Sequence, residues 1–256
     1  TNTTGTLNVS VGKDSLYYNT TGSYHTAVGK DALAANTTGE ICNAFGYAAL
    51  AANTTGIRNT AMGRQALHSN TTGGYNSAFG NYSSEFNTTG SSNTALGYHA
   101  LKELTTGSNN TGVGKAAAAS AVDVSNEITL GNSSVDNLRC NDTSISSLSD
   151  ERDKTNIADI PLGIDFINTV RPVSFDWDRR DGSMAGRKAF GFIAQELKVA
   201  EDATDYADHM WLVHNNNPDL LETDPMKMFP VMVKAIQELS AENEALSARI
   251  LTLENA

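Results

Sequence analysis

The sequence is poor in cysteine, in basic residues and in long apolar runs. Its two cysteines, Cys42 and Cys140, are far apart and form no Cys-x-x-Cys pair, so we expect neither a disulfide framework nor a metal site. No apolar run approaches the roughly 20 residues that a membrane helix needs. Lysine and arginine number 18 against 29 acidic residues and form no basic cluster, which argues against nucleic acid as a partner. No cofactor is predicted.

The acidic residues are unevenly distributed along the chain. Residues 1–148 carry 7 basic and 9 acidic side chains, whereas residues 149–256 carry 11 and 20. A chain of 256 residues can form one large domain or two ordinary ones. The change in composition near residue 149 favours two parts of different character.

Residues 1–117 repeat with a period of 17 residues. Each of six units contains Asn-Thr-Thr-Gly, at 2–5, 19–22, 36–39, 53–56, 70–73 and 87–90, and a seventh unit has Leu104 in place of the asparagine. A second glycine follows the same period, preceded by a small residue and then an apolar one, as in Ala44-Phe45-Gly46. Such regular self-similarity is typical of repeat architectures. One unit is too thin to bury a core, so we expect it to stack on its neighbours and on partner chains.

The local chemistry of the unit predicts extended pieces joined by turns. Asparagine and glycine favour the turn at Asn-Thr-Thr-Gly, and the alternation of large and small residues in Thr-Ala-Val-Gly fits a strand with one crowded face. We read each unit as two short extended pieces. The unit resembles the head repeats of trimeric bacterial adhesins, which implies a β-roll or β-helix-like, trimeric stalk over residues 1–117.

Residues 118–148 are predicted to be a β connector. The segment 126–140 indicates two short strands around Gly131-Asn132, and the small polar residues of 141–148 indicate an accessible strand or loop. Such segments are where a backbone can be reached for cleavage.

Residues 149–256 mix helix and strand signals and are predicted to form an α+β domain. Isoleucines at helical spacing predict a helix over 159–170, with Pro161 in its first turn. Residues 195–200 indicate a short helix. Strands are predicted at 173–177, 189–194 and 211–213.

The clearest helix is predicted over residues 226–254. Its apolar residues step alternately by three and four positions, which predicts a coiled coil. Ile at a and Leu at d favour two strands, and Asn243 at an a position would fix the register. The residues that we assign to this seam are Phe229, Met232, Ile236, Leu239, Asn243, Leu246, Ile250 and Leu253.

Ser149 and Lys154 bring a hydroxyl and an amine within five positions of each other. A serine hydroxyl needs a base to take its proton, and lysine is a base only when burial or nearby positive charge lowers its pKa. Arg152 supplies positive charge, whereas Asp150, Glu151 and Asp153 favour the charged lysine. On spacing alone, a solvated charged turn capped by Ser149 is the favoured interpretation.

The segment Ser149-Asp-Glu-Arg-Asp-Lys154 nevertheless resembles the Ser-Asp-x-Arg-x-Lys junction of the S74 peptidase family, the intramolecular chaperones that end many phage tail fibres and tailspikes. The likeness continues through 154–157, 171–177 and 191–197. It implies catalytic Ser149 and Lys154, supporting Asp150 and Arg152, and self-cleavage between Leu148 and Ser149. It also implies a homotrimer, in spite of the heptad preference, and a virion component assembled in the host cytoplasm.

Three classes of function follow from these features. The first is a trimeric fibre segment with its own chaperone over 149–256, which holds near-identical repeats in common register and is then cut off. The second is a surface adhesin whose repeats bind a host glycan or protein and whose junction is not cut. The third, an enzyme acting on host polysaccharide, lacks any acidic or nucleophilic cluster in residues 1–117 to support it.

Overall fold

A computed structural model describes residues 2–135, 137–140, 149–180 and 184–255. The chain divides into two compact units, Thr1–Leu138 and Arg139–Ala256.

The first unit is a parallel β-solenoid in which each 17-residue repeat forms one coil. Each strand pairs with the strand of the next coil in parallel and in register, so that Ala27 lies opposite Ala44 and Ala44 opposite Ala61. The predicted β repeat is therefore confirmed. The strands are β1 Val9–Val11, β2 Thr26–Val28, β3 Asn43–Phe45, β4 Thr60–Met62, β5 Ser77–Phe79, β6 Thr94–Leu96, β7 Thr111–Val113 and β8 Ile128–Leu130.

Each coil contains one strand of three residues, not the two extended pieces that we predicted. The rest of the coil is turns, which continue the inter-coil hydrogen bonding, as when Leu33 N donates to Ala49 O. From β2 to β7 the small residue of the strand faces inwards and is buried, as at Ala44. It packs with the leucine of the following turn, such as Leu50. The core is thus a narrow column of alanine and leucine, which leaves the large residue of each strand outside.

A ladder of buried asparagines runs through the coils. The side-chain amide of Asn53 donates to Asn36 Oδ1 at 2.9 Å and to its own turn at Gly56 O at 3.0 Å. Its Oδ1 accepts from Asn70 at 2.8 Å. Buried polar groups are costly unless paired, and the ladder pairs the amides of Asn36, Asn53 and Asn70 with the coils on both sides. The predicted turn asparagine is therefore an interior residue.

A second buried column shows how different side chains can satisfy the same bonds. Asn59 accepts from Asn76 N at 2.9 Å and donates to Gly73 O at 2.7 Å. At the equivalent place His25 Nδ1 accepts from Cys42 N at 3.2 Å, and Nε2 binds Gly39 O at 2.8 Å. These partners require the neutral ring with its proton on Nε2.

Cys42 occupies the coil after His25 in the same column. Its thiol is fully buried and lies 3.4 Å from Gly56 O. Burial raises the pKa of the Cys42 thiol to about 11. The thiolate is the reactive form of cysteine, so Cys42 is a packing residue.

Close stacking of the coils explains the second glycine of the repeat. Gly46 has φ +136°, and a Cβ built there would lie 2.5 Å from Gly63 O in the next coil. Both the backbone conformation and the approach of the neighbouring coil require glycine. The periodic glycine is therefore a condition for stacking.

The solenoid continues beyond the seven predicted repeats. β8 pairs with β7 in the common register, so residues after 117 add an eighth strand. The asparagine ladder ends earlier, because Leu104 offers no amide to Asn87, whose Oδ1 is the one buried side-chain acceptor without a partner among the described residues. Our prediction of two strands in 126–140 is wrong over the described residues, where β8 alone is formed. Asp136 and residues 141–148 lie outside them.

The second unit contains small sheets and helices around one core. The helices are α1 Ile164–Thr169, α2 Ala194–Asp202, α3 Ala207–Met210 and α4 Phe229–Glu254. The antiparallel pairs are β9 Val173–Asp176 with β10 Lys188–Gly191, and β11 Val213–His214 with β12 Glu222–Thr223. The core consists of Phe166, Leu197, Met210, Leu212, Val213, Met228 and Val231.

Two predicted boundaries in this unit need correction. The helix predicted over 159–170 begins only at Ile164, after Gly163 and Pro161. The strand predicted over 211–213 is displaced to 213–214, because Trp211 adopts a left-handed conformation with φ 53° at the end of α3. The strand signals at 173–177 and 189–194 and the helix at 195–200 correspond to β9, β10 and α2.

The predicted C-terminal helix is confirmed. A 3-10 turn, Pro225–Met228, leads directly into the 26 residues of α4. Asp224 caps that turn by accepting a hydrogen bond from Met226 N at 3.1 Å. Val231 and Ala235 are the buried residues of α4, and α1 is among the elements that it contacts. One face of the long helix therefore packs within its own unit.

Candidate functional site

A short 3-10 turn brings the residues of the junction together. Asp150 precedes the turn Glu151–Asp153 and caps it, since its Oδ1 accepts from Arg152 N at 2.9 Å. Aspartate is a favoured residue at such a position because its carboxylate satisfies an otherwise free backbone N–H. Lys154 N closes the turn on Glu151 O at 3.0 Å. The turn reverses the chain, so that the side chain of Lys154 returns to Ser149.

Lys154 Nζ lies 2.7 Å from Ser149 Oγ. It also donates to the carbonyl oxygen of Ser149 at 3.0 Å. The distance to the hydroxyl is within the range over which a base takes a proton. Both residues are exposed in the single chain.

Arg152 forms a two-pronged pair with Asp150. Its Nε and one terminal nitrogen lie 3.0 and 2.6 Å from the two carboxylate oxygens. The guanidinium lowers the pKa of Asp150, and the carboxylate raises the pKa of Arg152. The pair matters for Lys154, because it occupies the carboxylate that would otherwise compete for the ammonium group.

Lys154 forms no ion pair with any carboxylate in the part of the chain that the structure describes. Glu151 and Asp153, its neighbours in sequence, therefore do not hold it directly. The arrangement leaves the serine hydroxyl and carbonyl as its partners. Leu148, the other residue of the predicted cleavage site, lies outside the described residues.

The predicted seam residues lie along an unpaired face of α4. Ile236 is 64 % exposed and Leu253 68 %, although isoleucine and leucine are among the residues most often buried. Asn243 is exposed as well. The other predicted seam residues are exposed too: Phe229, Met232, Leu239, Leu246 and Ile250. The face is distinct from the one that carries buried Val231 and Ala235.

Sequence reasoning did not identify an apolar stripe on the outside of the solenoid. The strand residue before each second glycine faces outwards, and the register aligns these residues coil upon coil. Phe45 is 37 % exposed and Leu96 50 %. The alternation of small and large residues could have revealed the stripe. From it we predicted a strand with one crowded face, but we did not predict whether the large or the small residues face the core. The stripe consists of Val11, Val28, Phe45, Met62, Phe79, Leu96, Val113 and Leu130.

The described ranges contain neither a cluster of metal-binding side chains nor a helix able to span a membrane. No group of three or more His, Cys, Asp or Glu side chains has the arrangement of a metal site. No described helix combines the length and apolar character of a membrane span.

Residues 149–206 match the family model Peptidase_S74, described as the chaperone of endosialidase. This confirms the predicted resemblance for the segment that begins at Ser149 and runs through α1, β9, β10 and α2. No curated protein matches the chain. No solved structure matches it either.

Proposed function

We propose that the chain is a segment of a phage tail fibre or tailspike whose C-terminal unit assembles three chains, sets their register and then cuts itself off. The observation that carries the proposal is the 2.7 Å contact between Lys154 Nζ and Ser149 Oγ, at the residue where the family match begins. Ser149 is the nucleophile and Lys154 the base. The bond cut is Leu148–Ser149.

The reaction is an internal acyl shift followed by hydrolysis. Lys154 takes the hydroxyl proton as Ser149 Oγ attacks the Leu148 carbonyl carbon. The C–N bond then breaks, and the released amine of Ser149 takes a proton, which leaves Leu148 as an ester on the serine oxygen. Water cleaves the ester, which regenerates the hydroxyl and frees the carboxylate of Leu148. The products are a chain that ends at Leu148 and one that begins at Ser149.

We propose that assembly of the chains activates this cleavage; we call this dependence the assembly switch. A lysine ammonium in water holds its proton at neutral pH and is no base. Lys154 is exposed in the single chain. A neighbouring subunit that covers Lys154 would exclude water, and exclusion of water disfavours a charged ammonium group, so that cutting follows assembly.

Unpaired apolar surfaces on both units support association. The α4 seam exposes Ile236, Leu239 and Leu246, and the solenoid exposes its outer stripe of strand residues. Contiguous apolar surface of this kind marks an interaction site. We propose that three copies pack through both surfaces, with the seams forming a coiled coil.

The repeats also explain why a chaperone is needed. Neighbouring coils pair equivalent residues in every step, such as Ala61 with Ala78. Two chains that associate with a displacement of one coil would therefore still bring equivalent residues into contact, so the repeats alone do not define the register between chains. A domain that trimerises through its own helix would fix the common register first. Once the chaperone domain has been cut off, the fibre can no longer disassemble by the reverse of the route through which it formed. The assembled fibre is then kinetically stable.

The test compares the wild-type chain with a seam variant, Ile236→Asp with Leu239→Asp. We expect light scattering to show trimers for the wild type and intact mass to show pieces of 148 and 108 residues. The seam variant should be monomeric and uncut.

The matched control is Gln237→Asp with Ser240→Asp, which adds the same charge at exposed positions of the same helix outside the seam. This control should assemble and cut like the wild type. Complete cutting of the monomeric seam variant would exclude assembly as the switch, and an uncut wild-type trimer would exclude self-release.

A further inference from the structure

A row of aromatic and cationic side chains follows the outside of the solenoid across four coils. The Arg64 guanidinium carbon lies 5.7 Å from the centre of the Tyr47 ring and 5.4 Å from that of Tyr82. Tyr82 is 6.2 Å from Tyr98 and 5.3 Å from His99 by ring centres. We call these five residues the aromatic row.

Backbone pairing between coils creates the row. Tyr47, Arg64 and Tyr98 each follow the second glycine of their repeat, whereas Tyr82 stands one position later. Tyr82 has φ 60° and its N–H donates to Arg64 O at 2.8 Å, which places it against the arginine. The contact between Tyr82 and Arg64 cannot be predicted from repeat position, since the tyrosines do not share one position in the 17-residue unit.

The aromatic row has an uncompensated positive charge. Arg64 is exposed and forms no ion pair with a described residue. The first two coils differ, because Lys13 and Lys30 lie 3.7 and 2.9 Å from Asp14 and Asp31. From the third to the sixth coil the same two positions contain no acidic residue.

We propose that the aromatic row binds a linear acidic polysaccharide. A sugar carboxylate would pair with Arg64 through the two-pronged geometry that guanidinium favours. The flat, apolar faces of the sugar rings would pack on Tyr47 and Tyr98, since tyrosine combines an apolar body with a polar end. Both rings are exposed.

The linear arrangement is what favours a polysaccharide over a compact ligand. Coils succeed one another at about 4.8 Å, the spacing between paired strands. Three steps from Tyr47 to Tyr98 therefore span about 14 Å along the solenoid. A chain of sugar rings with a repeated charge can follow such a line. This inference goes beyond the proposed self-release and does not depend on Ser149 or Lys154.

The test measures binding of the full chain to polygalacturonate by calorimetry at low salt. Fully methyl-esterified polygalacturonate keeps the sugar backbone without the charge, and polyglutamate keeps the charge without the sugar. We expect binding to polygalacturonate alone. Arg64→Gln should weaken it at least tenfold, and Tyr82→Ser should weaken it severalfold.

Arg58→Gln is the matched control, because Arg58 lies 5.3 Å from the centre of the Tyr75 ring in a similar pair at another position of the coil. It should change the affinity less than twofold. Absence of binding to polygalacturonate overturns the proposal. Equal binding to polyglutamate, or equal loss in Arg58→Gln and Arg64→Gln, would show general attraction to polyanions and would overturn it too. Ser149→Ala should leave binding unchanged, which separates this result from that of the self-release.

Discussion

Glu238, in the long helix α4, accepts a hydrogen bond from the backbone N–H of Ile164 at 2.8 Å. Ile164 is the first residue of α1, and no side chain at its N-cap, Gly163, satisfies that end of the helix. The carboxylate of a residue 74 positions away does so instead. Gly163 leaves the space, because a Cβ there would lie 2.0 Å from Glu238 Oε2.

Replacement of Glu238 by alanine should destabilise the second unit by about 1 kcal/mol, the usual cost of losing a cap. Glu238→Gln should cost less, since its amide oxygen still accepts. The loss of helical circular dichroism on heating reports this unit, which contains all the described helices. Glu242→Ala is the control, because Glu242 is exposed on the same helix. Equal effects of the two alanine variants would deny the cap any role.

Sequence predicted what is local or periodic in this fold. The 17-residue period implied stacked coils in register, because equivalent residues must meet when one unit stacks on the next. It did not show that one contact from α4 would satisfy the start of α1. The helix predicted over 159–170 was too long for the same reason, since the spacing of isoleucines carries no information about Gly163 and its distant partner.

The candidate site was predictable in part because it is short. Ser149 and Lys154 are five positions apart, and a single turn suffices to bring them together. The pairing of Asp150 with Arg152 was not foreseen, since we had weighed that carboxylate as a competitor for the lysine. The orientation of the apolar strand residues was also undecided, because alternation defines two faces without stating which one is buried.

Interruption of the asparagine ladder should be costly in the middle of the solenoid. Asn53→Ala leaves Asn36 Oδ1 without a donor and removes the acceptor of the Asn70 amide, while Gly56 O keeps only the Cys42 thiol. Each unpaired buried group costs about 1–3 kcal/mol. We therefore expect a loss of about 2–4 kcal/mol in the free energy of unfolding. Tyrosine absorbance during guanidinium unfolding measures it, since seven of the eight tyrosines lie in the repeats.

Thr55→Ala is the matched control for this prediction. Thr55 is exposed in the same turn, and a surface change of this kind costs less than about 0.5 kcal/mol. A similar loss in both variants would mean that the ladder contributes nothing beyond the turn itself.

Acidification should weaken the solenoid through His25. Burial lowers the pKa of His25 below 6.5, so the unfolded chain binds the proton more readily than the folded one. Stability is complete above pH 6.5 and falls as the pH drops below that value. A protonated ring would also lose the acceptor for Cys42 N. Between pH 7.5 and 5 we expect a decrease in unfolding free energy.

His25→Asn should reduce that pH dependence. Asparagine makes the equivalent bonds at position 59 without titrating. The difference between the two proteins isolates His25 from the other titrating groups. Parallel pH profiles for the wild type and the variant would show that His25 does not contribute.

Arg152→Ala should slow cutting by releasing the carboxylate of Asp150. That carboxylate, no longer held at 2.6 Å by the guanidinium, would attract the Lys154 ammonium and keep it protonated. We expect at least a tenfold slower rate by intact mass over time. Adding Asp150→Asn should restore part of the rate, since asparagine still caps the turn but carries no charge. Failure of the second change to restore any rate would assign Arg152 a different role.

The last prediction concerns Ser149 and Lys154 themselves. Ser149→Ala should leave the chain whole, because the methyl group supplies no nucleophile. Lys154→Ala should remain whole or cut at least a hundredfold more slowly, since loss of a general base costs about that much. Lys154→Arg should behave like the alanine variant although it keeps the charge, because a guanidinium does not give up its proton.

N-terminal sequencing of the wild-type fragments should read Ser149-Asp150-Glu151, and light scattering should show that the variants still form trimers. The variants must still form trimers, because we expect any chain that fails to trimerise to remain uncut. Such a chain would not test the roles of Ser149 and Lys154. Cutting of assembled Ser149→Ala at the same bond would identify an external protease. Cutting of assembled Lys154→Arg at the wild-type rate would show that the 2.7 Å contact serves to hold the turn and that another group takes the proton.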